Sequence, residues 1–146
     1  MQTSLSDALD RSAGIFQRYP SIRLAYLYGS QVTGQATPLS DVDIAIVLDK
    51  PLPARERLRL ELRLETDLAD YCGGEFDVHV INEAPLAVKG RVVQTGKILY
   101  ARDDAARIAF ETATRRAYFD FLPVLEKLRR AYFAAQGEEL QRRGLL

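Results

Sequence analysis

The sequence has almost no cysteine, no excess of either charge and no long apolar run. Its single cysteine, Cys72, cannot form an internal disulfide, which suits a reducing cytoplasm. Twenty basic residues balance twenty acidic ones, so net charge gives no reason to expect direct nucleic-acid or membrane binding. The longest apolar runs, such as residues 44–48, are far too short to cross a bilayer. The N-terminal segment carries Asp7 and Asp10, so we expect no signal peptide and a cytoplasmic location.

The 146 residues suffice for one domain that buries about two-thirds of its unfolded surface. Apolar periodicity and turn residues predict alternating helices and strands. The predicted helices run from a cap at Ser4 or Ser6 to about Arg18, over 54–71, over 85–93 and from 103 onward. The last of these is predicted to break at Pro123 and to fray beyond Gly137. The predicted strands are 22–28, 41–49, 76–81 and 98–100, and residues 29–40 are predicted to form a loop. This order predicts a small α/β or α+β domain over residues 1–146, with a mixed sheet, flanking helices and a C-terminal helical extension at 103–146.

The segment 54–71 gives conflicting signals. Leucine alternates with arginine and glutamate over 58–64, which is the period of a strand. However, these residue types favour a helix, and no β-branched side chain occurs before Thr66. We interpret the segment as a helix whose inner face is formed by Leu60, Leu64, Leu68 and Tyr71. Leu58 and Leu62 then lie on roughly the opposite side, where they could pack against another surface.

The most informative pattern is a Gly29-Ser30 pair followed, after ten residues, by the triplet Asp41-Val42-Asp43. Apolar residues flank both parts, which predicts a strand, a Gly-Ser turn, a loop and a second strand. Residues i and i+2 of a strand point to the same side, so Asp41 and Asp43 can share a cation. A Gly-Ser turn opposite them can present backbone N–H groups and a hydroxyl to a phosphate. Together these parts predict a site for a metal-bound nucleoside triphosphate.

Each of these residues has an ordinary explanation when it is taken alone. An aspartate can lie in water at the end of a strand, glycine is the usual residue of tight turns, and Ser30 could cap a helix. However, aspartate is depleted in strands, and burying an unpaired carboxylate costs several kcal/mol. The spacing between Gly29-Ser30 and the aspartate pair favours the functional interpretation.

A third carboxylate, that of Asp77, lies on the predicted strand 76–81. If it converges with the pair, two Mg²⁺ ions about 3.5–4 Å apart could hold the oxygens of an in-line displacement. Asp41 and Asp43 would bridge the ions, and Asp77 would complete one ion's site and could accept the proton of the nucleophile. His79 shares the face of Asp77 but is typical of a solvated histidine, so it is not assigned a role.

This pattern of glycine, serine and aspartates resembles that of the minimal nucleotidyltransferases of the DNA polymerase β superfamily. The signature of that superfamily is Gly-Ser, about ten residues, Asp-x-Asp and a third aspartate on a nearby strand. Here these residues are Gly29, Ser30, Asp41, Asp43 and Asp77. The resemblance implies the superfamily's mixed sheet with flanking helices, dependence on Mg²⁺ and transfer of AMP from ATP. Many relatives have a basic residue directly after Gly-Ser; this chain has Gln31, which removes one possible phosphate contact.

More narrowly, the stretch FDVHVINEAPLAVKGRVVQTGKILYARD, followed by RRAYFDFLP, is similar to the MntA-type antitoxins of HEPN/MNT toxin–antitoxin pairs. That similarity implies a HEPN toxin, which is a ribonuclease, as partner and a tyrosine hydroxyl of the toxin as acceptor of AMP, so that modification inactivates the toxin. It also implies a hetero-oligomer of the two proteins.

Two alternatives stay open at this point. The chain could transfer a nucleotide to a small-molecule hydroxyl, or it could be an antitoxin that acts by binding alone. For a protein partner, two surfaces are candidates. One is the leucine pair Leu58 and Leu62. The other is the C-terminal region, where aromatic residues are interleaved with arginines, as interface hot spots often are: Tyr118, Phe119, Tyr132 and Phe133 with Arg115, Arg116, Arg129 and Arg130.

Overall fold

The computed structural model describes residues 4–34 and 41–144. Six helices and four strands alternate along this part of the chain. In order they are α1 (Leu5–Asp10), α2 (Ala13–Gln17), β1 (Ile22–Tyr28), α3 (Ser30–Thr33), β2 (Val42–Leu48), α4 (Ala54–Cys72), β3 (Phe76–Val80), α5 (Leu86–Thr95), β4 (Lys97–Ala101) and α6 (Asp104–Arg142). Within residues 4–34 and 41–144, no helix is long and apolar enough to cross a membrane.

The described strands form one four-stranded sheet in the order β3-β2-β1-β4. Strand β1 is antiparallel to both of its neighbours, β2 and β4, whereas β2 and β3 run parallel. The helix α4 connects the two parallel strands, as a parallel crossover requires. The prediction of a small mixed sheet with flanking helices is therefore confirmed.

Helices cover both faces of this sheet. On one face, apolar side chains of β1 and β2 pack with side chains of the first, second and fourth helices; the buried helical members are Leu9, Ile15, Phe16, Leu64 and Leu68. On the other face, Leu24, Tyr26, Ala45 and Val47 pack with Val92 of α5, and Phe110 of α6 lies against them. Each large apolar side chain buried in this way stabilises the fold by about 1.5–3 kcal/mol.

The helix predicted over 54–71 is confirmed, and it also protects an edge of the sheet. Its inner residues Leu64 and Leu68 are fully buried, whereas Leu58 and Leu62 are 55% and 53% exposed. The placement of Tyr71 on the inner face is wrong, because its side chain, in the last turn of α4, is 52% exposed. Two glutamates of α4 accept hydrogen bonds from the outer backbone N–H groups of β3: Glu65 from Val78 at 3.0 Å and Glu61 from Val80 at 2.9 Å. These contacts satisfy donors that an edge strand would otherwise leave open to another chain.

The first predicted helix is wrong in one respect, because the structure divides it into α1 and α2. The cap at Ser4 is present, since its hydroxyl accepts from the N–H of Asp7 at 3.1 Å. At the division, the buried Ser12 hydroxyl donates to the carbonyl of Leu9 at 2.6 Å. The backbone N–H of Ser12 bonds to that same carbonyl in a tighter turn, which ends α1.

Two further predictions are corrected by the structure. The segment predicted as a loop from Gly29 contains the short helix α3, while residues 35–40 of that loop lie outside the described residues. The break at Pro123 and the fraying beyond Gly137 are both wrong, because α6 runs through both positions to Arg142. A proline removes only its own N–H, and an exposed helix can absorb the ring by bending. Ion pairs from Glu139 to Arg142 and Arg143 support the last turn.

The N-terminal half of α6 is fixed to the domain, whereas its later residues are largely exposed. Asp103 caps the helix by accepting from the N–H of Ala106 at 2.7 Å. The Tyr26 hydroxyl donates to Glu111 at 2.9 Å, and Gly90 of α5 lies directly against the ring of Tyr118. Beyond this contact the large exposed side chains of α6 are Phe119, Val124, Leu128, Tyr132, Phe133 and Leu140.

We expect Gly90→Ala to destabilise the domain by about 1–3 kcal/mol, because a Cβ at this position would overlap the ring atoms of Tyr118. Chemical denaturation followed by circular dichroism measures the effect. Gly137→Ala is the matched control. Gly137 is also within α6 but has no neighbouring atom within 4 Å of a Cβ, so this change should stabilise by about 0.5–1 kcal/mol. Equal effects of the two changes would contradict close packing of α5 on α6.

Candidate active site

Three polar side chains form a row across adjacent strands. Tyr28 of β1 pairs with Asp43 of β2, and Asp43 pairs with Asp77 of β3. Directly paired residues point to the same face of a sheet, and neighbouring strands lie about 4.8 Å apart. The structure thus brings together Asp43 and Asp77, which are 34 positions apart in the sequence.

The third predicted carboxylate, that of Asp41, is exposed and lies directly before β2, two residues from Asp43. Its negative charge still acts on the half-buried carboxylate of Asp43. The pKa of Asp43 is raised, chiefly by burial and next by the carboxylate of Asp77. Asp41 adds a weaker effect in the same direction, whereas His79 lowers the pKa. The fold therefore holds like charges together at a cost, and a bound cation would relieve that cost.

The fit of this cluster to Mg²⁺ depends on how many ligands the protein supplies. In the part of the chain that the structure describes, no three or more His, Cys, Asp or Glu side chains are grouped closely enough to hold a metal ion. Mg²⁺ commonly uses one or two carboxylates and takes its remaining oxygens from substrate phosphates and water. Asp41, Asp43 and Asp77 therefore fit a metal that arrives with a nucleotide better than a metal enclosed by protein alone.

Gly29 lies directly against this cluster. Its φ of 77° and ψ of −148° belong to a region that side chains with a Cβ rarely adopt. A Cβ on Gly29 would also overlap Oδ2 of Asp43. The glycine is thus required both by its own backbone and by the carboxylate beside it. Ser30 follows as the first residue of α3, with its side chain half-buried, so the Gly-Ser pair adjoins Asp43.

Sequence reasoning missed Tyr28, which lies on the opposite side of Asp43 from Asp77. Its side chain is half-buried, and burial, then the carboxylates of Asp43 and Asp77, raises the pKa of Tyr28 to about 12. The phenol therefore stays protonated at neutral pH and can donate a hydrogen bond within the site. The available sequence signal was its position directly before Gly29 at the end of an alternating strand.

His79, which the sequence left unassigned, contacts the site. Its Nε2 lies 3.0 Å from Oδ2 of Asp77. Both side chains are about half exposed, so water also reaches this pair. Lys97, by contrast, pairs in register with Leu27 and forms an ion pair with Asp10 at 2.6 Å, which places it on the face of the sheet away from the carboxylates.

The family is identified by a model of the polymerase β nucleotidyltransferases, which matches residues 12–105. That span contains all of β1 to β4 and every residue of the predicted site, so this chain belongs to the polymerase β nucleotidyltransferase family. No curated protein sequence matches the chain significantly.

Solved structures with a similar fold come from toxin–antitoxin complexes. A chain of a toxin–antitoxin complex with AMP-PNP is 23% identical with a TM-score of 0.63, over 86% of this chain and 96% of that one. A chain of the MntA–HepT complex is 22% identical with a TM-score of 0.58, over 87% and 95%. A chain of the complex between tri-AMPylated Shewanella oneidensis HEPN toxin and MNT antitoxin is 18% identical with a TM-score of 0.55, over 86% and 98%. At these identities the likeness establishes the nucleotidyltransferase fold.

We expect Asp43→Asn to stabilise the metal-free protein at pH 7 but not in acid. A carboxyl whose pKa is raised on folding binds its proton more tightly in the folded chain than in the unfolded one. It therefore costs stability progressively as pH rises from its ordinary pKa through its folded pKa. Denaturant unfolding in EDTA at pH 7 and at about pH 3 should show an advantage for the variant that disappears at the lower pH. A variant less stable than wild type at pH 7 would contradict this account of the site.

Proposed function

We propose that this chain is a cytoplasmic antitoxin that transfers AMP from ATP to a tyrosine of a cognate HEPN toxin and so inactivates it. The observation that carries the proposal is the row of carboxylates on β2 and β3, with Gly29 directly against Asp43. This arrangement suits a nucleotide whose phosphates would approach the Gly29-Ser30 turn, and Asp41, Asp43 and Asp77 would hold two Mg²⁺ ions. When bound, Mg²⁺ supplies charge stabilisation for the phosphate oxygens.

In the proposed reaction, the acceptor tyrosine oxygen forms a bond to the α-phosphorus of ATP. The bond from that phosphorus to the β-phosphate oxygen breaks, and pyrophosphate leaves. The carboxylate of Asp77, which is about half exposed, accepts the proton of the tyrosine hydroxyl. Tyr28 remains a neutral phenol beside Asp43 and can donate a hydrogen bond to an oxygen of the substrate.

The choice of a protein acceptor is supported by the solved complexes and by the exposed surface of the chain. One similar structure contains AMP-PNP and another contains a tri-AMPylated HEPN toxin. We assign residues 103–146 as the extension that binds the toxin. Within it the aromatic side chains Phe119, Tyr132 and Phe133 are each more than half exposed. Arg129 and Arg130 lie within one helical turn of Tyr132 and Phe133. Leu58 and Leu62 of α4 offer a second, smaller surface.

We expect the double variant Asp41→Ala, Asp43→Ala to lose AMP transfer by at least about 1,000-fold, because both carboxylates would hold the Mg²⁺ that stabilises the charge of the reacting phosphates. The wild-type chain incubated with the toxin and Mg·ATP should add one or more AMP units, each visible in the intact mass of the toxin. Replacing the acceptor tyrosine of the toxin with phenylalanine should remove the added mass.

The same double variant also distinguishes the proposal from an antitoxin that acts by binding alone. Its fold should persist, since removing like charges from the metal-free site does not destabilise it. If the variant neutralises the toxin as well as wild type does, without any change in the mass of the toxin, binding alone is the mechanism. Transfer that persists in the variant would disprove the assignment of the site.

We expect Mg²⁺ and ATP to bind cooperatively, because each supplies ligands or charge that the other needs. With both present at about 100 times the dissociation constant, the free energy of unfolding should rise by about 2.7 kcal/mol. Thermal shift assays with ATP plus Mg²⁺, ATP plus EDTA and Mg²⁺ alone measure the coupling. Asp7→Asn is a suitable control, since Asp7 is an exposed residue of α1 outside the site. Equal shifts with ATP plus Mg²⁺ and ATP plus EDTA would contradict the metal-bridged site.

A further inference from the structure

His79 lies in a second row that runs beside the row of carboxylates. It pairs in register with Ala45 of β2, which in turn pairs with Tyr26 of β1. The other polar group of this row is already engaged, since the Tyr26 hydroxyl donates to Glu111 at 2.9 Å. The imidazole of His79 is instead half exposed and reaches back along β3 to Asp77, with Nε2 3.0 Å from Oδ2.

This contact contributes little to the stability of the fold. The side chain of His79 is 50% exposed and that of Asp77 is 46% exposed. Pairs with this exposure contribute little to stability, because water screens them and because holding two side chains in one geometry costs entropy. The physical effect of the contact is therefore on the orientation of the Asp77 carboxylate, which could otherwise rotate about its side-chain bonds.

We propose that His79 is a positioning residue, which holds Oδ2 of Asp77 and so leaves Oδ1 as the oxygen offered to the metal-bound nucleotide. The inference rests on the function proposed above and adds a residue that the three-aspartate signature does not contain. Partners that orient a ligating carboxylate commonly change metal affinity or activity by 10–100-fold when they are removed.

The test compares His79→Ala with His79→Gln in binding and in catalysis. The amide nitrogen of glutamine reaches about as far as Nε2 of histidine and can donate a hydrogen bond, whereas alanine cannot. Binding of Mn²⁺ in the presence of AMP-PNP is followed by electron paramagnetic resonance. We expect His79→Ala to weaken Mn²⁺ binding about 10-fold or more and His79→Gln to restore most of it. In the transfer assay, His79→Ala should lower kcat with little change in KM for the toxin.

A purely structural role would give a different result, namely a lower thermal stability of His79→Ala with unchanged Mn²⁺ affinity. Unchanged or tighter Mn²⁺ binding in His79→Ala would overturn the inference, and tighter binding would show that the imidazole competes with the metal. Wild-type protein that binds no Mn²⁺ with AMP-PNP would overturn the proposed function and the role of His79 together. Wild-type binding that is lost in Asp43→Asn but kept in His79→Ala would overturn the role of His79 alone.

Discussion

The parallel pairing of β2 with β3 is the constraint on which the candidate site depends. The ladder begins where Val42 donates to the carbonyl of Glu75 at 2.9 Å and ends where Ile81 donates to that of Ile46 at 2.9 Å. In this register Asp43 lies directly beside Asp77. A slip of one residue would turn Asp77 to the opposite face and expose the apolar side chains of β3. The hydrophobic pattern that anchors the strand therefore also aligns the carboxylates.

The adjacent carboxylates of Asp43 and Asp77 destabilise the metal-free fold, and packing elsewhere in the domain offsets this cost. Two half-buried carboxylates beside each other repel, and the raised pKa of Asp43 expresses that repulsion together with the cost of burial. The opposing stabilisation comes from the fully buried side chains on the other face of β2, such as Ile44 and Ile46, and from the glutamates of α4 that complete the outer edge of β3. The carboxylates therefore lower the stability locally, and the surrounding core compensates for this loss.

The sequence was sufficient to predict what depends on local pattern. Alternation of apolar residues located the four strands. Residue preferences identified α4 as a helix, although its leucines alternate with the period of a strand. The spacing from Gly29 to Asp43 indicated the candidate site. What it could not supply was register. The position of Tyr28 beside Asp43 follows only from the pairing of β1 with β2. The continuity of α6 through Pro123 was missed because the rule for proline describes a cost, about 3 kcal/mol, and not a prohibition.

The position of α6 relative to the carboxylates follows from contacts on the same face of the sheet. Tyr26, next to Tyr28 along that face of β1, donates a hydrogen bond to Glu111 of α6, and Gly90 fits closely against Tyr118, about two turns further along the helix. These contacts join the strand that borders the site to the helix that carries the exposed aromatic residues. The later part of α6 therefore extends from a segment that is anchored beside the site. Because carboxylates of this kind would serve any hydroxyl, the proposed function leaves the choice of acceptor to surfaces outside the site, and the exposed later part of α6 is one such surface.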